Sequence, residues 1–439
     1  MSKIELLYID EKGPQESLKM STPFDKVNKI AYADDDMHSY VANIIKISES
    51  NISKVEKDYI NIENRYLSTR NFKEGKELKG QIILKGNFGW GVASLKKNEL
   101  EFYTKLFEIL NENSVENLLF SINKMSLLVD SRLLNWILDM QDKRQFSAFE
   151  LKYSLTKYAE IEASENVIAK FFDKNTSLKD LLTAIQKDLE GIVNRNKGNK
   201  RMHNQVSFYK KIIYLIKKWK HLNSVNPQLD ASFNWDKVSY ALDLWLTENK
   251  LIKEADANQF LLYLDQGIPR EPFEKFEFNS IFENCISSTN VGIRITDMLV
   301  AIAGNYLSKF SKDTRYNLEE PTKPKHLSPG WFDFNQEQYQ LIKLMAIYFF
   351  KGDMKYSYVI DTYFDEPLLF ETFITYVSSY PSYEEYRKVS DSQHVNQHFR
   401  VIMGVFQEKW ENARSAEFFA NEGYGNLRNA IDAGVIRPL

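Results

Sequence analysis

Strand-like sequence lies on both sides of a long helical block, and this order constrains the fold more than any other feature. Residues 3–10 and 40–47 are apolar runs bounded by turn-forming residues, as buried strands are. Residues 131–254 instead repeat their apolar positions at helical spacing. A strand-like run then returns at residues 260–264. We therefore predict one α/β domain with a mixed sheet that is interrupted by a helical insertion.

The predicted boundaries follow these changes in periodicity. Residues 1–130 together with 255–310 form the discontinuous α/β core, and residues 131–254 form the all-helical insertion. Residues 311–332 contain several prolines and are predicted to be a linker. Residues 333–439 return to helical spacing and are predicted to be a helical C-terminal domain.

Composition excludes several classes of protein. The longest apolar stretches are well below the roughly 20 residues that span a bilayer. The chain has one cysteine, Cys285, so an intrachain disulfide framework or thiolate metal site is excluded. The formal net charge of -3 gives no overall attraction to nucleic acid, so such binding would require a local patch. The first residues lead directly into a strand, and we expect a cytoplasmic protein without a membrane segment.

Acidic residues at the edges of apolar elements are the main functional signal. Asp10 and Glu11 end the first strand, Asp265 ends the run at 260–264, and Asp297 lies inside an apolar segment. Burying a carboxylate is costly unless something neutralises it. A shared divalent metal would explain these acids together, because Mg²⁺ prefers oxygen ligands and keeps several waters.

Four short motifs resemble a bacterial family known as "domain of unknown function 3800". That family typically begins with a strand of the form YxDESG, and residues 8–13 read YIDEKG. It carries an ELK element, as at residues 77–79, and a later strand that ends in DxG, as DQG does at 265–267. It closes with a helix of the form LQxADL after a small polar stretch, and GIRITDML at 292–299 is similar.

The resemblance implies a ribonuclease H-like fold and nucleic-acid cleavage that depends on Mg²⁺ or Mn²⁺. Asp10, Asp265 and Asp297 would be metal ligands, Glu77 a ligand or water-positioning residue, and Glu11 an acid outside the ligand sphere. In two-metal cleavage one ion activates water and the other stabilises the departing oxygen. Bacterial proteins of this kind suggest defence against phage or mobile elements. The alternative is a non-enzymatic protein of the same fold that binds a protein or nucleic acid through its helical domains.

Each acid also has a purely structural explanation. Asp10 and Asp265 stand where strands end, and aspartate commonly begins turns there. Asp297 could pair with Arg294, three residues earlier on the same helix. Glu77 lies in a lysine-rich stretch that is typical of a solvated surface.

A basic run inside the insertion is the candidate for nucleic-acid binding. Tyrosines and a tryptophan are interleaved with its charges, and phosphate contacts from it would be salt-sensitive and independent of sequence. We predict that it forms a positive wall beside the acids; the alternative is a solvated loop followed by an amphipathic helix. The candidate residues are Arg195, Lys197, Lys200, Arg201, Lys210 and Lys211.

Overall fold

The computed structural model describes most of the chain as a mixed α/β protein. The described residues are 4–13, 17–31, 37–70, 78–222, 233, 235–251, 259–315, 325–350, 354–360 and 365–436. Within these ranges, no helix is both long enough and apolar enough to cross a membrane.

A six-stranded sheet with the order β5-β4-β1-β2-β3-β6 organises the molecule. β1 is antiparallel to β2, and β2 is antiparallel to β3. On the other side of β1, β4 and then β5 run parallel to it, while β6 runs parallel to β3. The strands are β1 (Glu5–Lys12), β2 (Ser39–Ser48), β3 (Glu116–Asn123), β4 (Phe260–Asp265), β5 (Ser280–Cys285) and β6 (Tyr358–Ile360).

Fifteen α-helices cover the two faces of this sheet within the described ranges. They are α1 (Glu49–Thr69), α2 (Gly80–Leu84), α3 (Lys97–Glu112), α4 (Lys124–Asp142), α5 (Ala148–Ile161), α6 (Glu165–Phe172), α7 (Leu178–Arg195), α8 (His203–Trp219), α9 (Trp235–Glu248), α10 (Val291–Thr314), α11 (Gln336–Phe349), α12 (Asp365–Ser378), α13 (Tyr383–Arg387), α14 (Asp391–Tyr424) and α15 (Leu427–Asp432).

Alternation along β1 separates two hydrophobic cores, because successive side chains of a strand point to opposite faces. We call the face that carries Leu6 and Tyr8 the front, and the face that carries Leu7 and Ile9 the back. The front core includes side chains of α1, α3, α10, α11 and α12. The back core includes side chains of helices α4 to α9, which form the insertion. The prediction of a mixed α/β fold is therefore confirmed.

Helix α10 is the central element of the front. Its residue Gly292 packs directly on the ring of Tyr8, and a Cβ atom built there would lie 2.4 Å from that ring. Twelve residues later, Gly304 packs in the same way against the side chains of Lys12 and Met37. The helix therefore passes over β1 in the direction of the strand and continues past its C-terminal end.

The structure differs from the predicted boundaries at the ends of the insertion and of the core. β3 ends at Asn123, whose side chain accepts a hydrogen bond from the backbone N–H of Ser126, so α4 begins at Lys124 rather than after residue 130. An N-terminal cap of this kind is a common helix start. α10 likewise continues to Thr314, four residues into the predicted linker.

Where the structure describes it, the C-terminal region is not purely helical and shares its core with the rest of the fold. Its strand β6 joins the sheet beside β3, and α11 and α12 contribute to the front core. The 34-residue helix α14 begins in the front core, where Val395 is buried, and ends in the back core, where Ala420 is buried. Residues 333–439 therefore complete the α/β fold and connect its two faces.

Candidate carboxylate site

Two of the predicted acids lie near the C-terminal ends of neighbouring parallel strands. The register of β1 and β4 pairs Tyr8 with Tyr263 and Ile9 with Leu264, so Asp10 and Asp265 follow the last pair side by side. Both acids continue the alternation that places Tyr8 and Tyr263 on the front. Ligands of open α/β sheets commonly bind beyond the carboxyl ends of strands, which is where these two acids lie.

The third acid, Asp297, reaches this edge from α10. It lies between the two glycines that hold the helix against β1. One of its carboxyl oxygens accepts a hydrogen bond of 2.6 Å from the backbone N–H of Gly80, the first residue of α2. Gly80 is in close contact with α10, since a Cβ atom there would lie 2.5 Å from the Cβ of Ala301. The contact between α2 and α10 therefore fixes the carboxylate of Asp297.

The charges of the neighbouring acids affect the pKa of Asp10. Asp10 is only 5% exposed, and its pKa is raised well above its ordinary value, first by burial and then by the negative charges of Glu11, Asp265 and Asp297. A hydrogen bond of 2.7 Å from the backbone N–H of Glu11 partly opposes this increase. An acid that is buried among other acids favours either a proton or a nearby cation.

Arg294 is not the neutralising partner of Asp297. Its guanidinium pairs with Glu63 of α1, and both side chains are largely buried. The same guanidinium lies over the ring of Tyr59, 5.5 Å from the ring centroid. The alternative in which Asp297 serves only as a local partner of Arg294 is therefore wrong.

The remaining predicted site residues have different positions. Glu77 and the side chain of Arg201 lie outside the described residues. Glu11 follows Asp10 along β1, so the alternation directs it to the back, and it acts on Asp10 through its charge. Within the described ranges, no group of three or more His, Cys, Asp or Glu side chains is arranged so as to hold a metal ion.

A lysine and a glycine without a predicted role also lie at this edge. Lys79 is half-buried and its ammonium group donates a hydrogen bond of 3.0 Å to the hydroxyl of Ser287, in the turn before α10. Lys79 immediately precedes Gly80, whose N–H binds Asp297. Lys79 ends the ELK motif, which is the sequence signal for its position. The role of Gly80 depends on its contact with α10, which is distant in the sequence, so no local sequence pattern indicates it.

The basic run lies on the opposite side of the sheet from the acids. Helix α8 packs Ile212, Leu215 and Ile216 into the back core, and this leaves Lys210 and Lys211 exposed. The ammonium group of Lys211 lies 5.1 Å from the centroid of the Phe208 ring. Arg195, Lys197 and Lys200 are exposed on the end of α7 and the turn that follows. The prediction of a positive wall beside the acids is wrong, because the apolar stripe of α8 fixes the run on the back.

Comparisons with family models, with curated proteins and with solved structures found no match for this chain.

Proposed function

We propose that this protein is a nuclease with a ribonuclease H-like core and a divalent metal site formed by Asp10, Asp265 and Asp297. The observation that carries the proposal is that the fold brings the three acids to one edge of the sheet. Within the described ranges their carboxylates are not already arranged as a ligand set, so a bound ion would have to draw them together. Two neighbouring parallel strands carry acids on one face near their C-terminal ends, and the helix that crosses this face carries the third. A first strand, a later strand and a closing helix are the elements that supply the acids in a ribonuclease H-like arrangement.

The donors suit the proposed metal. All three are carboxylates, the ligand type that Mg²⁺ and Mn²⁺ prefer. Burial and neighbouring negative charges raise the pKa of Asp10, and a bound cation would offset both effects. When bound, such ions activate water and stabilise the departing oxygen in phosphodiester hydrolysis.

The protein residues would perform the positioning. Asp10 and Asp265 are fixed by the register of β1 and β4, and Asp297 is fixed by the N–H of Gly80. Glu77 precedes this segment by three residues and is proposed as the fourth donor or as the group that positions water. Glu11 would add negative charge from outside the ligand sphere. Bacterial anti-phage or mobile-element defence is the proposed setting, and nucleic acid is the proposed partner.

The test compares Asp297→Asn with a matched control. Asn retains the shape of Asp297 and its ability to accept a hydrogen bond, but removes the charge that a metal ligand needs. We expect Mn²⁺-dependent cleavage of single- and double-stranded DNA and RNA to fall by orders of magnitude. The control is Asp243→Asn, which removes an exposed carboxylate from α9 in the insertion and should leave cleavage unchanged.

Thermal melting provides a second measurement that does not depend on cleavage. A ligand that binds only the folded state stabilises it by RT ln(1 + [L]/Kd). Mn²⁺ should therefore raise the melting temperature of the wild type and of Asp243→Asn, but not that of Asp297→Asn. If the wild type shows neither cleavage nor stabilisation by Mn²⁺, the nuclease proposal fails and the binding-protein alternative is favoured.

A further inference from the structure

A ladder of three aromatic rings connects the carboxylate site to the edge of the sheet. The ring of Tyr8 stacks on that of Tyr263, with 4.8 Å between their centroids and 20° between their planes. Tyr263 stacks in turn on Phe282 of β5, at 4.7 Å and 17°. The register of β4 and β5 places Phe282 directly beside Tyr263, so all three rings lie on the front.

The two ends of the ladder differ in exposure. Tyr8 is buried beneath Gly292 of α10, whereas Phe282 is 42% exposed. β5 is the last strand at its end of the described sheet. One face of the Phe282 ring is therefore supported by Tyr263, and among the described residues the exposed part of the ring is accessible to a planar ligand. A supported, exposed aromatic face is what proteins that bind single strands use to stack bases.

The exposed ring of Phe282 lies close to the acids. Asp265 follows Tyr263 by two residues, and Phe282 lies one strand further out. Strand geometry therefore separates Phe282 from Asp265 by roughly 8 Å between main-chain positions. A single nucleotide can span this distance, with its base on the ring and its phosphate at the carboxylates. Lys79 lies next to Gly80, which binds Asp297. Its ammonium group is held by Ser287 in the turn before α10 and supplies a positive charge for the phosphate.

We propose that the substrate is single-stranded nucleic acid and that Phe282 stacks one of its bases while the adjacent phosphodiester lies at Asp10, Asp265 and Asp297. This inference rests on the proposed nuclease function. A single strand can turn a base outward onto the ring, whereas a duplex keeps its bases stacked inside the helix. Phe282 is a binding residue in this scheme and takes no part in the bond rearrangement.

The experiment measures binding of one labelled oligonucleotide, as a single strand and as a duplex, to the wild type and three variants of Phe282 in Ca²⁺. Phe282→Ala should weaken single-strand binding about 5- to 140-fold, the range found when stacking aromatics are replaced by alanine. Phe282→Leu keeps apolar contact with Tyr263 but loses the flat face, and should weaken binding similarly. Phe282→Trp should bind at least as well as the wild type. Duplex binding should be weak for all four.

The control and the outcomes separate this inference from the nuclease proposal. Phe418→Ala removes another exposed aromatic ring, on α14, and should leave single-strand affinity unchanged. If the wild type cleaves nucleic acid with Mn²⁺ but Phe282→Ala and Phe282→Leu keep wild-type affinity and KM, the stacking inference is overturned and the nuclease remains. If the wild type neither binds nor cleaves nucleic acid, both proposals are overturned. Weaker single-strand binding by Phe282→Ala and Phe282→Leu, together with wild-type or tighter binding by Phe282→Trp, supports base stacking on Phe282.

Discussion

Replacing Gly80 by alanine tests whether the contact between α2 and α10 holds the carboxylate site together. The added Cβ would lie 2.5 Å from the Cβ of Ala301, 3.0 Å from the carbonyl oxygen of Asp297 and 3.2 Å from the Cα of Met298. Two of these three atoms belong to the backbone of α10, so they cannot move without shifting the helix. α2 must therefore move away from α10.

The expected cost has two sources. Overpacking of a tight contact typically costs about 1–3 kcal/mol. Moving α2 also stretches the 2.6 Å hydrogen bond from Gly80 to Asp297, and hydrogen bonds to charged groups contribute about 1.5–3 kcal/mol. These effects overlap, so we expect the free energy of unfolding to fall by about 2–4 kcal/mol. Denaturant unfolding at neutral pH measures this change.

A second substitution tests the cause of that loss. Ala301→Gly removes the nearest clashing atom, although alone it should cost about 1 kcal/mol as a glycine inside a helix. In the double variant it should restore part of the stability, and a double-mutant cycle should give a coupling of at least about 0.5 kcal/mol. Gly404→Ala on α14 has no heavy atom within 4 Å of the added Cβ and should stabilise the protein by about 0.5–1 kcal/mol. Wild-type stability in Gly80→Ala, or simple additivity in the cycle, would refute the reasoning.

Two further predictions concern charged groups elsewhere in the fold. Glu366 lines a cavity with Lys157 and Arg315; burial, and then the charge of Glu160, raises its pKa to about 7 from an ordinary value of 4.5. The folded state holds the proton of the Glu366 carboxyl more tightly than the unfolded state does. The free energy of unfolding should therefore fall by about 3 kcal/mol as the pH rises from about 4.5 to 7. Urea unfolding should show that Glu366→Gln removes this loss and is more stable than the wild type at pH 8. The basic run is proposed as a second contact for the phosphate backbone, separate from the acids on the front. Charge reversal at the exposed Lys210 and Lys211 should therefore leave the melting temperature nearly unchanged but weaken binding of single-stranded DNA and flatten its salt dependence. Equal affinity at every salt concentration would assign both lysines to solvation alone.

The sequence predicted the core elements well where one face of a strand is apolar and the strand ends in a charge. The run at residues 3–10 lies in β1, which extends two residues beyond Asp10 to Lys12, and the run that ends at Asp265 is β4. Their parallel pairing could not be read from either run alone, because register depends on what packs on the sheet. The interruption by helices was also predictable, since helical spacing persists over many turns.

The missed features depend on contacts between distant segments. β6 has only three residues, Tyr358–Ile360, which is too short for a periodic signal. The spacing of Ile212, Leu215 and Ile216 correctly indicated a buried stripe on α8, but it could not indicate which face of the sheet that stripe would cover. Arg294 and Asp297 are three residues apart, whereas the residue that neutralises Arg294 is Glu63 on α1.

The course of α14 limits how this architecture could have been assembled in evolution. An inserted domain with its own independent core can be gained or lost without harm to the host. Here the end of α14 is buried against the insertion, and Arg428 of α15 binds Asp139 and Asp142 of α4. Deleting the insertion would therefore leave the C-terminal segment with an exposed apolar end and unpaired charges. The two segments are expected to be inherited, exchanged and lost together.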